Sequence, residues 1–472
     1  MRDLRAARDA DDRADLVELR LDFVDRPDVA GALSGRRRPV VVTCRASWEG
    51  GRFAGSEEER QRILEAAVDA GAEYVDVEAA AAFAPHLIAR RQGRGIVVSH
   101  HDFQAPPRDV EDRYRQLRAM GAEVAKISVA TETLSDWLPL FNLDNDPDRP
   151  HVVLAMGAAG LPSRLLASRL ASRWTYAGDG VAPGQISVDR LLDEYHFRRI
   201  RPDARVFGVV GRPIGHSRSP VMHNAGFAAL KMDAVYLPFE AASAADLVQF
   251  AKALPVDGIS ITAPFKVSLL PFVDEVDAIA RRVGAINTLV VRDGRWLGYN
   301  TDVEGFLAPL RGKMPLQGSR VTVLGAGGAA RGVAVALAGS GADVTISARR
   351  PEAARAVAAL VSGQTGSFPP PAGSWDLLVN ATSAGTARQD VSPMAGGVLD
   401  GRLVYDLVYE PAETRLLTDA RAAGCDTIGG IDMLIAQAER QFELWTGQRP
   451  PDGVFRTAAR ARTATPVPSH TL

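Results

Sequence analysis

The chain of 472 residues is poor in cysteine, in long apolar runs and in excess charge of either sign. Its two cysteines, Cys44 and Cys425, lie too far apart in sequence for a disulfide framework or a metal-ligand motif, and they suit a reducing compartment. The first residues, MRDLRAARDADDRAD, are charged from position 2 and partly acidic, which excludes a secretory signal and argues against a transit peptide. We therefore expect a cytoplasmic protein.

No apolar run approaches the roughly 18 residues that a membrane-spanning helix needs. The net charge is -2, so no basic field indicates binding to nucleic acid or to an anionic membrane. Hydrophobic residues make up 46% and charged residues 24% of the chain, which is ordinary globular usage. At roughly 100–200 residues per domain, the length predicts about three domains, and we expect their partners to be small molecules.

The first 200 residues contain seven short apolar runs that alternate with helical stretches. Runs rich in β-branched residues are typical of strands buried on both faces of a parallel sheet. Their alternation with helices predicts a (β/α)8 barrel over residues 1–200 from which the first strand is missing. The runs are 16–21, 39–45, 74–79, 95–101, 124–130, 151–157 and 173–179.

The start of the chain has a helical pattern, RDLRAARDADDRA, where the barrel would need a strand. A barrel that lacks a strand has an open edge. We therefore hypothesise that the true start lies upstream of Met1, or that the chain is truncated.

The second half follows a polar, basic stretch, 196–205, which we interpret as a linker. Residues 206–308 have the pattern of an α/β domain. In residues 309–429, a strand precedes the glycine-rich turn GAGGAA and a helix, the arrangement of a Rossmann dinucleotide-binding domain. We expect the helix 430–450 to return to the 206–308 domain, and we expect a disordered tail over 451–472.

Polar residues lie near the ends of the predicted barrel strands, where barrel enzymes carry their chemistry. Lys126 stands inside an apolar strand, and burial lowers the pKa of a lysine so that its free amine can attack a ketone. His101 is the natural acid and base to remove the adjacent proton and expel a β-hydroxyl. Arg20, Arg45 and Arg164 suit a carboxylate and hydroxyls. The full set is Glu18, Arg20, Arg45, Glu49, His101, Lys126, Arg164 and Gln185.

Each of these residues also has a structural interpretation. A lysine in a strand is often ion-paired, and His101 could be structural. Arg45 and Glu49 could form an ordinary surface pair. The functional interpretation gains weight because all of them fall at successive strand ends of one barrel.

The motifs ELRLD, TCRASWEGG, SHHDF, AKIS, MGAAGLPSR and APGQ resemble those of type I 3-dehydroquinate dehydratases, and the resemblance covers residues 14–196. It implies that 3-dehydroquinate loses water to give 3-dehydroshikimate. Lys126 would be the Schiff-base lysine, His101 the proton shuttle and Glu49 the residue that orients it. The implied substrate-binding residues are Glu18, Arg20, Arg45, Arg164 and Gln185.

The first half departs from this family in two places. The family usually has a serine four residues before the glutamine of APGQ, where this chain has Val181. The missing first strand normally carries a substrate-contacting serine. One alternative is therefore a dehydrogenase whose barrel half is a non-catalytic scaffold.

The glycine-rich turn is followed by a second strand, VTIS, whose end bears on the choice of cofactor. An NAD site usually has an acid at this end, whereas here Ala348, Arg349 and Arg350 follow. Two guanidiniums attract a phosphate, so the sequence favours NADP, with the pyrophosphate at the helix start. The alternative is that the arginines form a solvated surface pair.

Hydroxyl and amide side chains recur through the second half. A polyol substrate needs several directed hydrogen bonds, and Lys266 beside Asp302 suits proton transfer during hydride transfer. The structural alternatives are helix caps for Ser217 and Ser219, a turn residue for Asn287, and an ion pair for the lysine and aspartate. The set is Ser217, Ser219, Thr262, Lys266, Asn287, Asp302 and Gln437.

The motifs GRPIGHSRSP, ITAPFK, GAINT, YNTD, LGAGGAAR, VNATSAG, YDLVYEPAETRLL and GGIDMLIAQAERQFELWTG resemble shikimate dehydrogenases over residues 206–449. The resemblance implies Lys266 and Asp302 as the catalytic pair and Tyr409 as a residue that closes the substrate site. The family's Asn-Arg-Thr motif for the 2′-phosphate appears here as Ala348-Arg349-Arg350. Implied substrate ligands are Ser217, Ser219, Thr262, Asn287, Tyr409 and Gln437; implied cofactor ligands are Gly325, Ala326, Gly327, Gly328, Ala329, Arg349, Arg350, Thr382, Leu407 and Gly430.

Together the two resemblances predict a bifunctional enzyme of the shikimate pathway, which leads to aromatic amino acids. The product of the first half is the substrate that NADPH reduces in the second. Two further alternatives stay open: an NAD-linked quinate/shikimate dehydrogenase, and a non-enzymatic regulator that senses these metabolites. The arginines at 349 and 350 argue against the first, and the intact lysine sites argue against the second. An oligomer is possible.

Overall fold

The computed structural model describes residues 5, 8–9, 12–104, 109–144, 146, 148–178, 183–386 and 390–461. The chain divides into two compact units, Met1–Ala204 with Pro238–Leu254, and Arg205–Leu237 with Pro255–Leu472. The strands of the described residues form three sheets of six. Within the described ranges, every helix is too short or too polar to cross a bilayer.

The first sheet is wholly parallel, and its strands follow one another in chain order. Valine-rich sequence buries these strands on both faces: all four residues of the second strand and all six of the sixth are buried. This confirms the α/β prediction. The strands are β1 Val17–Arg20, β2 Val40–Thr43, β3 Tyr74–Glu78, β4 Ile96–Asp102, β5 Val124–Ala130 and β6 His151–Met156; the helices are α1 Val29–Leu33, α2 Glu57–Asp69, α3 Ala84–Arg91, α4 Val110–Ala119 and α5 Leu161–Leu165.

The sheet is an open part of a barrel, and the seventh predicted strand, 173–179, is wrong for its described residues. The bridge to β6, between Ser172 and His151, lies just before this segment, and the Arg173 nitrogen donates to the His151 carbonyl at 2.8 Å. The Gly178 nitrogen then donates to the Ile186 carbonyl at 2.9 Å. The Gly178 N–H is therefore not available for a hydrogen bond to a neighbouring strand. Val181 and most of the predicted N-terminal helix lie outside the described residues.

The second sheet is mixed. Its order is β10-β12-β11-β9-β7-β8, and β11 runs antiparallel to both β9 and β12. The strands are β7 Arg205–Val210, β8 Ala234–Phe239, β9 Gly258–Ile261, β10 Glu275–Val276, β11 Thr288–Arg292 and β12 Arg295–Tyr299; the helices in this stretch are α6 Ser219–Ala229, α7 Ala244–Ala253, α8 Phe265–Ser268, α9 Ala278–Val283 and α10 Asp302–Leu307.

The third sheet is parallel in the order β15-β14-β13-β16-β17-β18. Counted from β13, this order is 3-2-1-4-5-6, which is the order of a Rossmann fold. The strands are β13 Arg320–Leu324, β14 Asp343–Ser347, β15 Gln364–Gly366, β16 Leu377–Asn380, β17 Leu403–Asp406 and β18 Asp426–Ile428; the helices are α11 Gly328–Gly339, α12 Pro351–Ala359 and α13 Arg415–Ala422.

Two helices end the described chain, α14 Gly430–Thr446 and α15 Val454–Ala461. Phe442 of α14 packs in one cluster with Phe207 of β7. The expected disorder from residue 451 is wrong for α15, because the Phe455 ring is buried 5.7 Å from the Phe442 ring. Arg218 also donates to the Ala459 carbonyl at 2.6 Å. Residues 462–472 lie outside the described range.

Residues 238–254, expected within the 206–308 domain, group with the first unit instead. The Phe250 ring of α7 lies 5.1 Å from the ring of Trp137. The Asp246 carboxylate accepts hydrogen bonds from the nitrogens of Leu134 and Ser135 at 3.0 and 2.9 Å. These contacts join α7 to the start of the 3-10 helix Ser135–Asn142.

Candidate active sites

One cavity of about 90 Å³ in the first unit collects all eight residues predicted for the first site. The parallel strands explain this, because their carboxyl ends meet at one edge of the sheet. The predicted residues that line it are Glu18, Arg20, Arg45, Glu49, His101, Lys126, Arg164 and Gln185.

Lys126 is buried in β5, and its amine is paired rather than free. Nζ donates to Oδ2 of Asp76 at 2.9 Å and lies 3.9 Å from Oε1 of Glu18. Burial acts to lower the pKa of this lysine, but Asp76, Tyr176 and Glu18 raise it above its ordinary value. The expectation that burial alone would yield a free amine is therefore wrong, and a proton must move before Lys126 can attack a carbonyl.

Arg45 is buried among carboxylates, so it does not form the surface pair that the structural alternative assumed. Its guanidinium bonds to Oδ1 of Asp76 at 2.9 Å and to Oε1 of Glu78 at 3.1 Å. It also donates to the Ser99 hydroxyl at 2.8 Å. Burial raises the pKa of Asp76, but Arg45 and Lys126 outweigh it and hold that pKa well below its usual range.

His101 and Glu49 form a buried pair. Oε1 of Glu49 lies 2.8 Å from Nδ1 of His101, as expected for a residue that orients the imidazole. Burial raises the pKa of Glu49 to about 8. Burial, together with Arg45 and Lys126, lowers the pKa of His101 well below its ordinary value. A proton is therefore shared within the pair near neutral pH, and Nε2 is the ring nitrogen left for proton transfer.

Arg164 and Arg20 differ in how they are balanced. Arg164 is buried and donates to the Pro183 carbonyl at 3.2 Å, while its Nε has no hydrogen-bond partner among the described residues. Burial lowers its pKa to about 10. Arg20 is instead held by both oxygens of Asp22, at 2.9 and 2.8 Å. Because no acid balances the charge of the Arg164 guanidinium, Arg164 should bind an anion more strongly than Arg20 does.

Sequence reasoning missed Asp76, which contacts the two central cations of this site. The signal was present, because YVDVE places acids inside an apolar strand just as AKIS places a lysine. Tyr176 was also missed, and its ring centroid lies 4.5 Å from Nζ of Lys126.

A second cavity, of about 310 Å³, lies in the second unit and collects the predicted substrate residues of that half. Ser219 begins α6 and Lys266 lies in α8, so loops and helix starts rather than strands supply most of its polar groups. The predicted residues that line it are Ser217, Ser219, Thr262, Lys266, Asn287, Asp302, Tyr409 and Gln437.

Lys266 and Asp302 form the polar centre of this second cavity. Nζ of Lys266 lies 2.5 Å from Oδ2 of Asp302, and the Asn287 amide donates to Oδ1 of the same carboxylate at 2.7 Å. Oδ1 of Asn287 in turn accepts from the Thr301 nitrogen at 2.7 Å. Asn287 thus fixes the orientation of the carboxylate that holds the lysine.

A buried network behind Asn287 was not predicted. Gln441 donates to the Asn287 carbonyl at 3.1 Å and to the Thr288 hydroxyl at 3.0 Å, and it accepts from Ser260 at 2.8 Å. Ser260 accepts from the Tyr236 hydroxyl at 2.5 Å. Gln441 lies four residues after Gln437 on α14, so helical spacing was the signal that could have indicated it.

A third cavity, of about 960 Å³, follows the glycine-rich turn. Gly325 has φ +108, and an added Cβ would lie 2.9 Å from the Ala381 carbonyl oxygen, so this turn needs glycine. A Cβ on Gly327 or Gly328 would meet nothing within 4 Å, which leaves the start of α11 open to a phosphate. These features fit a dinucleotide.

The predicted cofactor residues are distributed over the two cavities of this unit. Ala329, Leu407 and Gly430 line the substrate cavity rather than the dinucleotide cavity, and Gly328 begins α11. The predicted cofactor residues that line the dinucleotide cavity are Gly325, Ala326, Gly327, Arg349, Arg350 and Thr382.

Comparison with known proteins gives matches over nearly the whole chain. The sequence profile of type I 3-dehydroquinase matches residues 2–202, that of the shikimate dehydrogenase substrate binding domain 209–289, and that of the shikimate 5′-dehydrogenase C-terminal domain 430–460. A bifunctional 3-dehydroquinate dehydratase/shikimate dehydrogenase, chloroplastic, from Arabidopsis thaliana is 33% identical over 94% of this chain and 79% of its own length.

Relatives of the second half alone are also similar. An NADP(+) shikimate dehydrogenase of Citrifermentans bemidjiense is 42% identical over 56% of this chain and 97% of its own length. The crystal structure of shikimate 5-dehydrogenase from Thermus thermophilus in complex with NADP(H) and shikimate has a TM-score of 0.51 and 36% identity, covering 54% of this chain and 99% of that one.

Proposed function

The chain belongs to the family of bifunctional 3-dehydroquinate dehydratase/shikimate dehydrogenases, and we propose that it carries out both reactions, one in each unit. The observation that carries this proposal is that each predicted substrate-site set lines one cavity around a buried or half-buried lysine–carboxylate pair. The bifunctional interpretation is supported over a dehydrogenase with a scaffold barrel and over a metabolite sensor.

The first reaction begins at Lys126. Its amine attacks the ketone of 3-dehydroquinate, and the ketone oxygen leaves as water to give a protonated imine. The imine draws electrons from the adjacent carbon, and Nε2 of His101 removes a proton there. The enamine then expels the β-hydroxyl, which takes a proton from His101 and leaves as water. Hydrolysis of the imine then consumes one water. Two waters leave and one is taken up, so 3-dehydroquinate loses one water overall.

Substrate orientation in the first site depends on charge. Arg164 would bind the carboxylate, because it is buried and has no acid partner among the described residues. Glu18 and Gln185 would accept and donate hydrogen bonds to the ring hydroxyls. Arg20 and Arg45 are already paired with Asp22 and Asp76. They would therefore add positive potential to the site rather than bind the carboxylate with two free N–H groups.

The second reaction uses Lys266 and Asp302. When bound, NADPH supplies the hydride that reduces the ketone of 3-dehydroshikimate. The Lys266 ammonium stabilises the developing alkoxide and donates the proton, and the lysine then regains a proton from solvent, while the Asp302 carboxylate, held by Asn287, stabilises the charged form of the lysine. Tyr409 would cover the substrate; the remaining hydroxyls would be held by Ser217, Ser219, Thr262 and Gln437.

Residues around the dinucleotide cavity support NADP as the cofactor. Gly325, Ala326 and Gly327 would face the pyrophosphate, with Gly328 and Ala329 at the start of α11. Arg349 and Arg350 would bind the 2′-phosphate. Thr382 would hold the cofactor from the facing loop, and Leu407 and Gly430 would contact its nicotinamide end.

The proposed domain limits divide the chain by reaction rather than by compact unit, so residues 238–254 are assigned to the dehydrogenase although they group with the first unit. We assign the dehydratase to 1–200, substrate binding by the dehydrogenase to 206–308 with 430–450, and the Rossmann domain to 309–429. A cytoplasmic location and small-molecule partners without nucleic acid or membrane complete the proposal.

The deciding experiment is to mix the purified chain with 3-dehydroquinate and NADPH. Enone absorbance reports dehydration and loss of NADPH reports reduction, with 3-dehydroshikimate as a parallel substrate. Lys126→Ala should abolish dehydration alone, and Lys266→Ala reduction alone. Reduction without dehydration would identify the barrel half as a scaffold, and binding without turnover of either substrate would identify a sensor.

A further inference from the structure

Asp76 lies at the centre of the charge network of the first cavity, and the steps proposed for Lys126 and His101 assign it no role. It is buried in β3 with 1% exposure, and both of its oxygens are engaged. Oδ2 accepts from Nζ of Lys126 at 2.9 Å. Oδ1 accepts from Arg45 at 2.9 Å and from the Ser99 hydroxyl at 2.6 Å. The bonds on Oδ1 hold the carboxylate in place, so that Oδ2 is directed at the lysine.

Asp76 is the acid nearest to Nζ of Lys126, because Glu18 lies 3.9 Å away. The remaining charged and titratable groups that face the pair come from several parts of the first unit. They are Arg20 on β1, Arg45 and Glu49 after β2, Glu78 on β3, His101 on β4, Arg164 on α5, and Tyr176 in the segment after Ser172.

We propose that Asp76 is the counter-ion of the Lys126 nitrogen through the whole imine cycle, and that it carries the proton which this nitrogen gives up during attack. The inference rests on the proposed imine chemistry of Lys126 and adds to it a role for a residue outside the predicted site.

The proton balance explains why one fixed carboxylate serves every state. Nζ passes one proton to Oδ2 of Asp76, and the neutral amine adds to the carbonyl carbon. The addition product rearranges to a neutral carbinolamine by moving one nitrogen proton to oxygen. The proton on Asp76 returns to that hydroxyl, which leaves as water as the carbon–nitrogen double bond forms. Ammonium and ketone have become iminium and water, and the nitrogen is again a cation.

The iminium needs this counter-ion more than the ammonium does. Only a protonated imine withdraws electrons strongly enough for His101 to remove the adjacent proton. In a buried cavity that also holds Arg45, an iminium without a carboxylate beside it would lose its proton. Asp76 therefore keeps the electron sink charged at the pH where His101 acts as a base.

Glu78 provides the matched control, because it lies on the same strand and also bonds to Arg45, but the contacts of Lys126 do not include it. We would compare Asp76→Asn with Glu78→Gln in the full chain, with 3-dehydroquinate as substrate. Two readouts are needed: the pH profile of dehydration, and borohydride reduction of the imine, located at Lys126 by peptide mass.

For Asp76→Asn we expect trapping at Lys126 to persist while kcat falls about a hundredfold, since an electrostatic contact to the reacting atoms is lost. The loss should deepen as the pH rises, because the unpaired iminium deprotonates at lower pH. Glu78→Gln should show no loss that deepens as the pH rises; removal of its charge should only lower the pKa of Glu49, which Glu78 raises. Equal effects of both changes, with no deepening of the loss at high pH, would reduce Asp76 to a structural partner of Arg45. Absence of trapping in the wild type would instead overturn the imine reaction itself.

A second measurement covers the case in which Asp76→Asn does not fold. The chain has five lysines, and Lys126 is the only one before residue 231. In wild-type protein with 15N-labelled lysine, the Nζ resonance absent from Lys126→Ala belongs to this residue. We expect it to be an ammonium from pH 6 to 9. A neutral amine at pH 7 would overturn the counter-ion role, whatever the variants do.

Discussion

Oε1 of Glu49 lies 2.8 Å from Nδ1 of His101 and also accepts a hydrogen bond from the backbone nitrogen of the same residue at 2.9 Å. One carboxylate oxygen thus fixes both the ring and the main chain of the proton shuttle. Burial raises the pKa of this carboxyl to about 8, so its protonation state changes close to neutral pH.

Dehydration should rise with pH through an apparent pKa near 8. Below that value Glu49 is protonated and donates to Nδ1, which places the ring hydrogen on Nε2 and leaves no base there. Above it the carboxylate accepts from Nδ1, and Nε2 is free to remove the substrate proton. Glu49→Gln should remove this inflection and lower kcat, measured by enone absorbance from pH 6 to 9.

The neighbouring His100 is the control for that profile. It contacts Arg113 at 3.3 Å and does not line the cavity, yet it is also a histidine of β4. His100→Asn should therefore keep the inflection near 8. If Glu49→Gln kept it too, another group would be responsible.

The sequence was sufficient to assemble the first candidate site because parallel strands bring their polar ends to one edge. It could not indicate that Lys126 meets Asp76, which lies 50 residues away. That contact depends on the register in which Ser99 of β4 stands opposite both Glu78 and Lys126. The β-branched residues of YVDVE predict a strand, and a strand prediction by itself assigns no role to its acids.

The wrong predictions have a different origin. The run 173–179 has strand composition, but a strand also needs a neighbour in register. The bridge to β6 lies at Ser172, just before the run. The tail beyond 451 looked polar, yet α15 buries Phe455, Ala458 and Ala459 on one side. The average composition of a segment does not show that a helix can gather its few apolar residues on one face.

Arg164 should lower the stability of the fold while it strengthens substrate binding. Arg164→Gln removes a buried guanidinium that has no acid partner in the described chain, so the free energy of unfolding should rise by about 1 kcal/mol. KM for 3-dehydroquinate should rise about tenfold or more, since the carboxylate loses its fork. Arg60→Gln is the control: this arginine is equally buried but bonds to Glu57 and Glu78, so its loss should destabilise the protein. Destabilisation by Arg164→Gln would contradict the unpaired state.

Arg349 and Arg350 should select the phosphorylated cofactor. Replacing both with alanine should raise KM for NADPH by about tenfold or more and leave KM for NADH unchanged, because only the 2′-phosphate meets these guanidiniums. The effect should shrink as salt is added. Arg355→Ala removes the same charge from the exposed face of α12 outside the cavity and should change neither constant. An equal rise for both cofactors would mean that the arginines do not bind the 2′-phosphate.

Two buried tyrosines of the second unit should respond in opposite ways to loss of the hydroxyl. The Tyr405 hydroxyl is buried and has no hydrogen-bond partner among the residues that the structure describes, while its ring stacks on Phe306 at 5.0 Å. The Tyr236 hydroxyl donates to Ser260 at 2.5 Å. Tyr405→Phe should therefore leave the free energy of unfolding unchanged or raise it, because an unsatisfied buried group costs about 1–3 kcal/mol. Tyr236→Phe should lower it by about 1 kcal/mol or more and weaken reduction, since Ser260 supports Gln441 behind Asn287. Chemical denaturation of both variants would measure the difference, and equal losses would show that the Tyr405 hydroxyl has a partner after all.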